Sequence, residues 1–187
     1  VINLTTGKIL GGSLTANSSG TKTTFSGALS GTVSEGDLIA YFYPAQGNEE
    51  EKDFTSMHID MSTQGGTTGT VPICACSIVN ASSDAFNDAY VSFSFAMSYI
   101  MIGLSDIPSS TPIKSVTLTN VTESFDLSLN SSRTGFDFTT YTGNITLSPG
   151  SSASATGVKT VYAAVPASAS MARSVVLETG TSVFTTE

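Results

Sequence analysis

Hydrophobic and polar positions alternate with period two through most of this chain, and the longest example is AYVSFSFAMSYIMIGL, from Ala89 to Leu104. Odd positions from Val91 to Met101 carry Val, Phe, Phe, Met, Tyr and Met. Even positions Ser92, Ser94, Ala96 and Ser98 are small, and Ile100 and Ile102 then break the contrast. This predicts a strand, because a helix would space its apolar residues three and four apart. The run is shorter than the ~20 apolar residues of a membrane-crossing helix, and serines interrupt its first half. From Ile100 both faces are apolar, which predicts burial on both sides, beneath another element or at a domain junction. SDIPSSTPIK follows; its two prolines cannot continue a central strand, and it reads as a linker.

Further strands are predicted on either side. Before the linker they are NLTTGKIL, TKTTFSGAL, GDLIAYFYP, SMHIDMS and VPICACSIV. After it come IKSVTLTNV, SFDLSLN, GFDFTTY, GNITLSP, KTVYAAVP, RSVVLET and TSVFTTE, with clean alternation in Val116/Leu118, Phe125/Leu127/Leu129, Phe136/Phe138 and Ile145/Leu147. LETGTSVF predicts a tight hairpin about Thr179-Gly180. SPGSSASATGVK and QGNEEEKD read as solvated loops. A dozen short strands at about ten-residue spacing predict an all-β fold of two tandem antiparallel β-sandwich domains, residues 1–106 and 107–187, meeting near Ile107.

Composition narrows the function. The net charge is −8 and only 12% of residues are charged, while Ser and Thr approach a third of the chain. So acidic a surface repels phosphate backbones and anionic lipid, so no nucleic-acid partner is expected. Cys74 and Cys76 stand two apart on one strand face, roughly 6.5–7 Å between Cα atoms, at or beyond disulfide span. They cannot make a zinc site with the single, distant His58, and they read as small core residues. No basic, then apolar leader precedes VINLTTGKIL, so the chain is intracellular or its targeting segment has been removed; the strand pattern favours removal.

Chemistry is sparse. His58 shares a strand face with Asp60, but no G-x-S-x-G elbow supplies a nucleophile. Asp84/Asp88 and Glu35/Asp37 could pair as glycosidase carboxylates, and the first pair could help ligate calcium, yet both suit turns and caps better. GGTTGT lacks the lysine and helix of a phosphate loop. No catalytic residue, metal or cofactor is expected. Six of the eight asparagines (Asn3, Asn17, Asn80, Asn120, Asn130 and Asn144) lie in N-x-[ST] sequons, although several also suit turns. Tyr41 and Tyr43 share one strand face and could form a stacking platform, which keeps an extracellular carbohydrate-binding module as the alternative function.

Three stretches carry a resemblance. FSGALSGTVSEGDLIAYFYPAQ combines a small-residue strand, a G-D turn, an apolar strand and a proline. VSFSFAMSYIMIGLSDIPSSTPIKSVTLTN hands a long strand over to an I-x-S-V-x-L strand. GNITLSPG, KTVYAAVPAS and RSVVLETG follow in that order. Together they resemble the fimbrillin family, the pilins of type V pili and their relatives in anaerobic Gram-negative bacteria. The resemblance covers most of the chain by order and spacing, with no single diagnostic motif. It implies two transthyretin-like sandwiches, export as a lipoprotein precursor to the outer membrane or fimbrium, and a role as pilus subunit, tip or anchor. It also implies proteolytic removal of an N-terminal strand and donor-strand complementation by neighbouring subunits, with a host protein or glycan as a further partner. VINLTTGKIL is then the expected edge strand for assembly, through Ile2, Leu4, Ile9 and Leu10. The family's lipobox cysteine is absent, and SVFTTE stands where the family continues into a G-x-x-Y strand, so the second domain is expected to lack its last strand.

Overall fold

Alternation and turn residues translate into strands throughout. No helix occurs among the described residues, which in this computed structural model are 1–19, 23–43, 52–66, 75–82, 91–95, 97–108, 110–149, 160–166 and 174–186. In chain order the strands are β1 (Ile2–Asn3), β2 (Lys8–Ile9), β3 (Gly11–Ala16), β4 (Phe25–Ser30), β5 (Leu38–Tyr43), β6 (Ser56–Asp60), β7 (Thr63–Gln64) and β8 (Ala75–Asn80). They continue with β9 (Ser94–Phe95), β10 (Met97–Gly103), β11 (Ile113–Leu129), β12 (Phe136–Leu147), β13 (Thr160–Pro166), β14 (Ser174–Thr179) and β15 (Val183–Thr185). The protein is all-β, with several sheets. Cys74, Asp84 and Asp88 lie outside the described residues, as do most of the two predicted loops.

The chain forms two compact units, each discontinuous in sequence. Unit 1 comprises Val1–Met57, Cys74–Phe95 and Leu127–Asp137; unit 2 comprises His58–Ile73, Ala96–Asp126 and Phe138–Glu187. The single strand predicted from Val91 to Ile102 is instead two, β9 and β10 in different sheets, and the chain passes from one unit to the other between Phe95 and Ala96. The boundary expected between residues 106 and 107 falls inside unit 2, where Leu104–Pro112 only joins β10 to β11. The predicted burial of both faces beyond Ile100 does not occur. Ile100 and Ile102 pack on the unit 2 core, while Met101 is 68% exposed on the opposite face, because β10 has a layer on one side only among the described residues.

Unit 1 is built on the five-stranded sheet β2-β1-β5-β8-β9. Its central strand, LIAYFY, is covered on both faces, which accounts for its unbroken apolar run. Ile39 and Tyr41 join Leu10 and Val33, with Leu14 and Leu29 of the β3–β4 hairpin packed against them. Ala40 faces the other way, with Ile2 and Leu4, against Phe42, Phe54, Leu129 and Phe136. Phe136 sets its ring edge-on to Phe42 and Phe54, at 5.0 and 6.0 Å between centroids.

In unit 2 the sheet β15-β14-β11-β12-β7 and the pair β10-β13 share one core. Val116 and Leu118 of β11, Ile145 and Leu147 of β12, Val161 and Val165 of β13, and Leu177 of β14 meet there. The segments IKSVTLTNV and SFDLSLN, predicted as two strands, are one 17-residue strand, β11. At Asn120 the backbone enters the left-handed region, φ 54°, and the buried set shifts from Val116 and Leu118 to Val121, Phe125 and Leu127. An extra residue of this kind flips the inward face, and Asn accepts that conformation more readily than most residues. The bulge is tied across the ladder. The Asn120 N–H donates to Asn144 Oδ1 at 3.3 Å, and the Asn144 N–H to Glu123 Oε2 at 2.9 Å.

The pairing is not wholly antiparallel as expected: β7 runs parallel to β12, Thr63 opposite Thr146 and Gln64 opposite Leu147. A side chain completes this end of the unit. Gln64 is buried, its Nε2 donates to Ala164 O at 2.8 Å and to Met61 O at 3.0 Å, and its Oε1 accepts the Ala164 N–H at 2.8 Å. With the Tyr162 N–H donating to Gly66 O, the outer side of β13 is met, among the described residues, by an amide and a loop rather than by a strand.

Candidate functional site

The N-terminal residues expected to form an assembly edge are part of the interior of unit 1. Gly7, at φ 77°, turns the chain so that β1 and β2 form a hairpin. β1 then lies between β2 and β5, with Ile2 opposite both Ile9 and Ala40. Ile2, Leu4 and Leu10 are buried, and Ile9, half-buried on the sheet's outer strand, donates its N–H to Lys52 O. Asn3 is fully buried, donating from Nδ2 to Asp37 Oδ2 at 2.8 Å and to Thr32 O at 3.2 Å. Asp37 also takes the Ser34 N–H, so it locks a turn and does not pair with the exposed Glu35. The Asn3 sequon is therefore an internal amide in this fold, whereas Asn17, Asn80, Asn120 and Asn144 are exposed.

Tyr41 and Tyr43 do not make a platform. Tyr41 is 6% exposed and Tyr43 51%, because β5 leaves the core between them. Burial pushes the Tyr41 hydroxyl above the usual tyrosine range. Cys76 is half-buried on β8, opposite Phe42 and Ser94. No three His, Cys, Asp or Glu residues converge on a metal position among the described residues.

Two features of unit 2 remain, and both centre on β11 and β12. The first is an edge. β11 pairs with β12 along one side, and on its outer side β12 meets β7 only at Thr146 and Leu147. From Phe138 to Asn144 no described residue takes its outer ladder positions. Phe138 is 55% exposed although its ring lies 5.9 Å from that of Phe125, which is fully buried. At this point the apolar side of the sheet reaches solvent. β15 is a second edge, with Val183, Phe184 and Thr185 all exposed.

The second feature is a polar triad on the opposite face. His58 on β6 places Nδ1 2.6 Å from Asp126 Oδ1 on β11, and the Tyr141 hydroxyl on β12 donates to Asp126 Oδ2 at 2.6 Å. The rings of His58 and Tyr141 stand 6.1 Å apart at 57°. Hydrogen bonds from Tyr141 and then His58 hold the Asp126 carboxyl below its ordinary range, and the same carboxylate pushes the Tyr141 hydroxyl up. An ionised Asp126 can only accept, so His58 Nδ1 carries the proton in this bond. Asp60, on the same face of β6, is held low chiefly by the Ser62 N–H. Sequence reading paired His58 with Asp60. It missed Asp126 and Tyr141, which only the β6-β11-β12 order brings to it.

No protein-family model, curated protein or solved structure matches this chain.

Proposed function

We propose that this protein is a non-enzymatic cell-surface subunit of fimbrillin type, two transthyretin-like β-sandwiches that act in adhesion and assemble by strand exchange. On this reading it belongs at the outer membrane or in a fimbrium, as shaft, tip or anchor component, and its partners are neighbouring subunits. The single observation that supports it is the outer edge of β12, which no described residue pairs from Phe138 to Asn144 and where Phe138 exposes the margin of a core that Phe125 closes. An edge with unpaired N–H and C=O groups and no blocking lysine or proline accepts a further strand. Burying about four apolar side chains of a donor, at ~1.5–3 kcal/mol each, contributes roughly 6–12 kcal/mol before ordering costs. The acceptor is thus β12, while Val1–Leu10 is already committed to its own unit.

Sedimentation of the whole chain over a range of concentrations, alone and with peptides copying Val1–Leu10 and Thr181–Thr186, tests this. Assembly or peptide capture that Phe138→Lys abolishes is the expected result. A chain that stays monomeric and retains neither peptide refutes strand exchange.

A further inference from the structure

We propose that the polar face of β6, β11 and β12 around Asp126 is a binding site for a neutral hexopyranose, with Tyr141 as its stacking ring. This deepens the adhesion reading by naming a ligand class, and it rests on that reading for its biological role but not on strand exchange.

Flat faces come first. Tyr141 and His58 are both substantially exposed, yet each is tethered through its polar end to the same carboxylate. Their side-chain freedom is already spent in folding, so stacking a ligand on them carries little further ordering cost. A tyrosine fixed in this way offers an apolar ring face beside a wet rim, which suits the C–H face of a sugar. The 57° inclination of the two rings makes an open V rather than a closed stack.

The rim then selects the ligand. The unused lone pairs of Asp126, the Tyr141 oxygen and the Asp60 carboxylate, on the same face of β6 as His58, are all acceptors. Sugar hydroxyls supply the donors they lack. Phosphorylated, sulfated or uronic ligands would bring further acceptors and negative charge toward Asp60 and Asp126, on a chain of net charge −8. Uncharged pyranoses meet both requirements.

Binding of the intact chain to maltohexaose, cellohexaose and chitohexaose, with oligogalacturonate as the acidic control, is measured by calorimetry and by NMR line broadening. At least one neutral probe should bind with a sub-millimolar Kd, and the control should not. Tyr141→Ala should weaken binding about tenfold with the fold intact by circular dichroism. Tyr141→Phe, which keeps the ring but frees it from Asp126, should fall between. Phe138→Lys, on the opposite face of β12, should block assembly without changing sugar affinity, so the two proposals fail separately. Absence of binding to all three neutral probes, or binding that Tyr141→Ala leaves intact, overturns the assignment. Capture of an arginine-rich peptide in place of any sugar does so too.

Discussion

Val1–Leu10 and Phe138–Asn144 are both short runs of strand-forming residues, and they end in opposite situations. The first contributes three buried side chains and a buried asparagine to unit 1, with a strand on each side of β1. The second, in unit 2, has no described residue on its outer ladder and shows an aromatic ring to solvent. Position in the chain therefore does not make a strand exchangeable. What matters is whether its backbone groups are taken and whether its side chains already have partners. The largest expected effect follows directly. Leu4→Ala should cost about 2–5 kcal/mol, because it empties a fully enclosed site, whereas Phe138→Ala should cost no more than about 1 kcal/mol. Urea unfolding of the two variants checks the contrast, and equal losses would erase it.

A third edge sharpens the comparison. Among the described residues the outer side of β13 resembles that of β12 in lacking a strand, but Gln64 supplies both a donor and an acceptor to Ala164. Replacing Gln64 by Leu keeps the site filled and leaves the Ala164 N–H and C=O without partners, for a loss of about 1–3 kcal/mol. Gln64→Glu should be worse, since it removes both donated bonds and places a carboxylate in the core. If Glu and Leu proved equally mild, the amide would not be what closes this edge.

Much of the fold could be read from sequence because burial writes itself as periodicity. GDLIAYFY announces a strand, and β5 is one, although only the structure shows that both its faces are covered. The phase change between Val116/Leu118 and Phe125/Leu127 is also visible, but it reads as two strands. A strand with a bulge and two strands with a turn share the same pattern, and the left-handed Asn120 decides between them. The paired glycines of GGSLTA leave no period-two signal of a strand. In β3, Gly12 instead lets the Ala28 carbonyl approach where a Cβ would clash. Period two reveals that a segment is extended but not what lies beside it, so Val1–Leu10 could not be told from an edge. For the same reason Asp126, 68 residues from His58, had no signal of its own.

The smallest effect concerns the triad that marks the polar face of the open strand, and its sign can be worked out at both ends of the pH scale. Asp126 is lowered in the folded chain, so its bonds add stability above the ordinary carboxyl range of about 3.9 and lose it as pH falls through the folded value. Tyr141 is raised, so its contribution is complete below about 10 and fades as pH climbs through the folded value. Both groups stand in water, which keeps the amplitude small. Other groups, among them Asp53, Asp60 and Tyr41, titrate over the same flanks, so the informative quantity is a difference. Melting temperatures of the parent and of Tyr141→Phe, measured from about pH 3 to about pH 11, should differ most on the neutral plateau and converge toward both extremes. A gap of constant size across that range would mean that Tyr141 acts through packing alone. The carboxylate tether on which the preset ring depends would then contribute nothing.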